Sequence, residues 1–151
     1  MNLLDLAGAR QKLIEKLDTE RIERAIAEAE RRTSGEIRVS VAPLFWGSIE
    51  RAARRAFERL RMHETRERNG VLLFIVPSRR TFYVLGDTGI HDKVGTEFWS
   101  SVVAVMTPDF RRGEFTEGVL RGIAELAERL AEHFPHQGAS DRNELSDAVD
   151  R

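Results

Sequence analysis

The hydrophobic positions change period several times along the chain, and each change marks an element. Ile22, Ala25, Ile26 and Ala29 recur at helical spacing. Asp18 just before them can cap a helix through its carboxylate. Gly35 offers a stop, because glycine takes the left-handed conformation past a helix end. Residues 36–42 then alternate, with Ile37, Val39 and Val41 on one face, the pattern of a strand. Residues 48–63 return to helical spacing through Ile49, Ala52, Ala53, Ala56, Phe57 and Leu60. Arg51, Arg54, Arg55 and Arg61 lie mostly off that stripe. Asn69-Gly70 is a turn signal. The unbroken apolar run Val71-Leu72-Leu73-Phe74-Ile75-Val76 that follows reads as a strand buried on both faces, hence central. Pro77-Ser78-Arg79-Arg80 reverses the chain, and residues 81–85 return as a third strand. A further helix is expected to begin at Asp92 or Thr96, with Val94, Phe98, Val102 and Val105 inward. Its expected end is Pro108, since proline disfavours helix in the residue before it. The last helix covers about residues 114–134, with Phe115, Val119, Ile123, Leu126, Ala127 and Leu130 inward. Gly118 and Gly122 stand one turn apart, which lets a neighbouring helix come very close.

The connections fix the architecture. Strand one, its following helix and strand two form a βαβ unit, so the two strands run parallel with a right-handed crossover. Strands two and three form a hairpin, so the third runs antiparallel. The expected fold is α/β, a three-layer α/β/α sandwich around a small mixed sheet, spanning residues 18–136. Leu3, Leu6, Leu13, Ile14 and Leu17 suggest a helical N-terminal segment over residues 1–17, weakened at Gly8. Beyond Pro135 the chain turns polar and acidic, and residues 137–151 are expected to form a disordered tail.

Composition narrows the classes of function. A chain of 151 residues is one domain by default. The absence of cysteine excludes disulfides and thiolate metal sites; it also suits a reducing compartment, so a cytoplasmic location is expected. Charged residues make up 32% of the chain, yet the net charge is -1. No strong steering toward nucleic acid or an anionic membrane follows from that balance. Asp5 and Arg10 interrupt the early leucines, so no signal peptide is expected. No window approaches the ~20 apolar residues that span a bilayer, and no membrane insertion is expected.

Strand direction places the candidate chemistry. The start of strand one (Gly35, Glu36), the start of strand two (Asn69, Gly70) and the end of strand three (Gly86, Asp87) share one edge, with Asp92 close behind. Carboxylates brought together repel unless a cation or a proton sits between them. The expectation is a metal site with Asp87 and Asp92 as its core, Glu36 nearby and Asp109 as a further oxygen donor. An all-oxygen set favours Ca²⁺ or Mg²⁺ over Zn²⁺. A flexible, glycine-rich loop favours Ca²⁺, which tolerates irregular geometry. The bland alternative makes Glu36 and Asp87 solvated turn residues. Ser34 and Thr88 supply hydroxyls at the same edge, without an identified base.

Other motifs point elsewhere only faintly. Asp87-Thr88-Gly89 matches the triplet of aspartic proteases, but those enzymes need two such carboxylates and the chain has one copy. His63, His91, His133 and His136 make no zinc-hydrolase pattern, and no glycine-rich phosphate loop exists. The arginines of residues 51–61 are interleaved with Glu50 and Glu58, which reads as a solvated face before a phosphate grip. Trp46 and Trp99 read as packing anchors; the alternative is that Leu44-Phe45-Trp46 forms an exposed docking loop.

Four segments carry a family resemblance. They are Thr33-Ser34-Gly35-Glu36-Ile37-Arg38-Val39, Arg68-Asn69-Gly70-Val71-Leu72-Leu73, Gly86-Asp87-Thr88-Gly89-Ile90, and Pro108-Asp109-Phe110-Arg111-Arg112-Gly113-Glu114-Phe115-Thr116-Glu117-Gly118. In this order, over roughly residues 18–134, they resemble the TPM domain family of thylakoid-lumen phosphatase and photosystem II repair proteins. The resemblance implies an α/β/α sandwich, binding of a divalent metal, notably calcium, and a phosphatase activity reported for some plant members. Two readings follow. One is a calcium-binding interaction or regulatory module with a protein partner still to be identified. The other is a metal-dependent phosphatase acting on phosphate monoesters.

Overall fold

Asp18 caps the first helix as its position suggests: its carboxylate accepts from the Arg21 N–H at 3.1 Å, and α1 (Thr19–Glu30) buries Ile22, Ile26 and Ala29. The computed structural model describes residues 5–9, 17–138 and 143–151. Residues 5–9 are helical, while Leu3, Leu13 and Ile14 of the expected N-terminal segment lie outside the described residues. Strand β1 (Glu36–Val41) follows, then α2 (Ile49–Arg59) capped by Ser48, then β2 (Gly70–Val76). A single 3₁₀ turn at Pro77–Arg79 leads to β3 (Thr81–Gly86). The short helix α3 (Thr88–His91), then α4 (Thr96–Arg111) and α5 (Phe115–His133), complete the order.

The sheet has the order β1-β2-β3. β1 pairs parallel to β2, from Glu36 opposite Gly70 to Val41 opposite Ile75. β2 pairs antiparallel to β3, from Val71 opposite Gly86 to Val76 opposite Thr81. Every residue of β2 is buried, as its unbroken apolar run requires. The two faces of the sheet carry unequal layers. Ile37, Val39, Val41, Val71, Leu73 and Ile75 meet the inward stripes of α1, α4 and α5. Leu72, Phe74 and Val76 meet Ala52, Ala53 and Ala56 of α2. This is the α/β sandwich with a mixed sheet that the sequence implies.

The structure departs from the sequence reading in three local places. Gly35 does not end α1, which stops at Glu30 with Arg31 as its cap. Gly35 serves instead as a contact point, where an added Cβ would lie 3.0 Å from Leu130. Pro108 does not end α4, which continues to Arg111. The turn beyond the proline is held by Phe110, whose ring packs edge-on against Phe82 and Phe115, and by the ion pairs of Asp109. The expected free tail is, over residues 143–151, laid along the outer side of β1. The Val41 N–H donates to the Asp150 carbonyl at 2.8 Å, and the Asp150 N–H to the Val39 carbonyl at 2.9 Å. Val149 is buried in the main core, and Leu145 packs against the α2 layer. Unpaired strand edges invite pairing, and this chain covers one of its own.

Candidate metal site at the β1 edge

The four residues singled out from the sequence take separate roles. Asp87 follows β3 and caps α3, its carboxylate accepting from the Thr88 N–H at 2.7 Å. The same buried carboxylate is gripped in two-pronged fashion by Arg68, at 2.7 and 2.9 Å. A cation at Asp87 would first have to displace that guanidinium. Gly89 makes the arrangement possible, because an added Cβ would lie 2.1 Å from the Glu67 carbonyl. Asp92 is exposed and serves as the C-terminal cap of α3. Asp109 is buried near the end of α4, paired with Arg112 and, at 2.8 Å, with Arg121. Glu36 starts β1 on the far side of β2 from Asp87, so about two strand spacings, ~10 Å, separate their backbones. The structure therefore does not bring the four together.

Among the described residues Glu36, unlike Asp87 and Asp109, makes no ion pair with an arginine. It is 2% exposed, and one oxygen accepts from the Glu144 N–H of the tail at 2.7 Å. Its other oxygen, Oε2, has no hydrogen-bond partner. Beside it lies Glu30, the last residue of α1, whose Oε2 accepts from the Ile37 N–H at 3.0 Å and whose Oε1 is buried and unpartnered. Asn69 contributes a third orphaned oxygen, Oδ1, from the other side of β1. Buried acceptors without donors are rare and call for an explanation.

The electrostatics agree with the geometry. Burial pushes the Glu30 carboxyl up to about 10, and the neighbouring Glu36 charge adds to the rise. Burial pushes Glu36 up to about 7, against the Glu144 N–H hydrogen bond and the Glu30 carboxyl beside it, which hold it down. Asp147 of the tail adds negative charge to both. Each of these acids is disfavoured as an anion unless a proton or a cation stands among them. The two carboxylates offer only oxygen, which fits a hard divalent cation. Among the described residues no group of three or more His, Asp or Glu side chains is placed so that it could hold a metal ion. A cation here would therefore complete its shell with water.

Sequence reasoning missed Glu30, Arg68 and Glu67. Glu67 bears on the other chemistry at this edge: the buried Ser34 hydroxyl donates to its carboxylate at 3.0 Å, and the Asn69 amide spans both. The hydroxyl proposed from the sequence thus has a carboxylate partner two residues before Asn69. Of the two tryptophans, Trp46 stands 74% exposed, while Trp99 packs against Phe98 and His91. Among the described residues no helix is long and apolar enough to cross a membrane.

Comparison with known proteins supplies the relatives. The model of the TPM domain family matches residues 9–129. The NMR structure of BA42 protein from the psychrophilic bacterium Bizionia argentinensis superposes with a TM-score of 0.82 and 33% identity, over 87% of this chain and 90% of that one. The N-terminal domain of a P. gingivalis protein shares the fold at a TM-score of 0.64 and 21% identity, over 78% of this chain and 77% of that one. So does the N-terminal domain of cg2496 from Corynebacterium glutamicum, at 0.56 and 16%, over 79% and 72%. A search of the curated proteins returns no significant match.

Proposed function

The chain belongs to the TPM domain family, and on that premise we propose that it is a divalent-cation module that binds Ca²⁺, with Mg²⁺ as a weaker competitor, at the β1 edge. Glu36 is the central ligand, joined by Glu30 and assisted by the amide oxygen of Asn69. The observation that carries this reading is the pair of buried, arginine-free carboxylates with an unpartnered oxygen on each. Asp87 and Asp109 stay with their arginines and shape the fold, and Asp92 takes no part in the ion's shell. The module acts by regulated interaction, since the tail that touches Glu36 through Glu144 closes over the ion. The lack of cysteine fits a cytoplasmic setting.

A second reading, a phosphatase of phosphate monoesters, draws on the Ser34–Glu67 hydrogen bond. Ser34 would be the nucleophile and Glu67 the group that takes its proton, with the cation drawing in the phosphate. Both readings meet in one experiment. Calorimetric titration with calcium should show one site in the full chain and none in Glu36→Gln. Hydrolysis of a generic aryl phosphate in calcium or magnesium, lost in Ser34→Ala, would favour the phosphatase; calcium binding without turnover favours the module. Absence of calcium binding in the full chain would overturn both.

A further inference from the structure

The two outer edges of the sheet are treated differently. Along β1, Glu30 takes the Ile37 N–H, and Asp150 bonds to the backbone of Val39 and Val41. Among the described residues β3 pairs only with β2. The Asp87 N–H donates to the Gly70 carbonyl, which sets the odd-numbered residues of β3 toward β2. The backbone N–H and C=O groups of Phe82 and Val84 therefore point outward. Trp99 packs on Gly86 so closely that a side chain there would clash, which covers that end. Residues 81–84 remain half-exposed.

A groove of about 440 Å³ runs beside this open stretch, between β3 and α4. Its apolar floor and wall are Phe82, Val84, Val103 and Phe110. Val103 is 42% exposed and, with Trp46, is one of two large hydrophobic side chains left exposed among the described residues. Arg80 and Arg111 close the turn end of the groove, and no acidic residue lines it. The Arg80 guanidinium donates to the Arg111 carbonyl at 2.9 Å, which holds the two side chains at one end.

We propose that this edge is a docking site for an extended segment of a partner protein, added beside β3 as a fourth strand. Only an extended backbone can satisfy a row of strand N–H and C=O groups. Alternate side chains of such a segment fall on the groove, so they are apolar. A carboxylate at the end of the segment nearest the β2–β3 turn meets Arg80 and Arg111. The charge of the groove selects an acidic segment over a second copy of the edge, which would bring its own arginines.

The test uses the full chain labelled with ¹⁵N and capped hexapeptides that alternate valine and threonine and end in glutamate, glutamine or lysine. The glutamate peptide should shift the Phe82 and Val84 amides saturably and slow their exchange. The lysine peptide, and the glutamate peptide on Arg111→Glu, should bind roughly three- to tenfold more weakly. Arg111 is exposed, so an unchanged spectrum elsewhere will certify the variant's fold. No binding, equal binding of all three peptides, or shifts centred away from β3 and α4 would overturn the proposal. Concentration-dependent shifts of Phe82 and Val84 without peptide would overturn it in favour of self-association.

Discussion

Raising the pH should destabilise the metal-free protein, and Glu36 and Glu30 should share the effect between pH 5 and 8. Glu36 has an ordinary value of 4.5, and burial lifts it to about 7 in the folded chain. Below pH ~4.5 both the folded and the unfolded states hold the proton, and the stability tied to this group is fully present. As the pH climbs, the unfolded glutamate ionises while the native one stays neutral, so stability falls. The loss is complete once the pH has passed the folded value. The gap is 7 minus 4.5, or 2.5, and at ~1.4 kcal/mol per pH unit it corresponds to roughly 3–4 kcal/mol. Glu30 acts with the same sign and extends the decline toward higher pH. A bound divalent cation reverses the logic, because it stabilises the ionised carboxylates. Calcium should therefore matter little at pH 5 and much at pH 8, where a concentration of 100 times Kd restores about 2.7 kcal/mol.

The assay is denaturant unfolding followed by circular dichroism at pH 5 to 8.5, in chelator and in calcium, for the wild type and Glu36→Gln. Glutamine keeps an acceptor for the Glu144 N–H and removes the ionisation. It should make the chelator curve shallower below pH ~7, leaving the decline due to Glu30, and erase the calcium response. Groups common to both proteins, including the four histidines, cancel in the difference. A wild-type protein equally stable in chelator at pH 5.5 and 8 would refute the electrostatic argument. Equal calcium stabilisation of wild type and Glu36→Gln would move the site elsewhere.

Asp87→Asn should cost about 1–3 kcal/mol by loosening the Arg68 grip, yet leave the calcium response intact; loss of that response would return the ion to the β3 end. Gly118→Ala should cost about 1–3 kcal/mol by overpacking, since its Cβ would sit 2.6 Å from the Phe110 ring; a neutral result in thermal melts would mean that α4 and α5 separate readily. Deleting residues 143–151 should lower stability by roughly 2–4 kcal/mol, from one buried valine and a few hydrogen bonds, and an unchanged melting temperature would mean the tail does not pack. Amide exchange should be slowest across Leu72 to Ile75, the strand bonded on both sides; fast exchange there would contradict the sheet order.

The fold was legible where one residue type repeats at one period. The run of residues 71–76 admits no solvent-facing side, so β2 had to be central, and the hairpin and crossover then set the direction of both neighbours. The tail was not legible for the same reason. Its described residues contribute Leu145 and Val149 to the two cores, and its hold on β1 comes through backbone groups and the Asp150 carboxylate, bonded to Ser40 and Arg59, which no composition reveals. Pro108 misled because a local backbone preference was outweighed by a long-range contact, Phe110 against Phe82. The site was half legible. Strand direction brought Glu36 and Asp87 to one end of the sheet, but Arg68, whose φ of 52° turns it back toward β3, neutralises only one of them.

Which carboxylates keep a cation and which become structural is decided by reach. Arg68 lies beside the β3 end and Arg112 and Arg121 flank Asp109, so these two acids have fixed positive partners. At the start of β1, Glu36 has acids beside it: Glu30 from α1, and Glu144 and Asp147 from the tail. The tail therefore brings two opposing effects to the same place. Its backbone supplies the Glu144 N–H that one oxygen of Glu36 needs, while its side chains add negative charge beside the other. Without a cation that balance weakens as the acids ionise; with one, the tail's carboxylates become ligands or counter-charges. Docking of the tail on β1 and binding of calcium should then strengthen each other by the same factor, as linkage requires. The Val41 amide, bonded to the Asp150 carbonyl, is the reporter: calcium should slow its exchange in the wild type and leave it unchanged in Glu36→Gln.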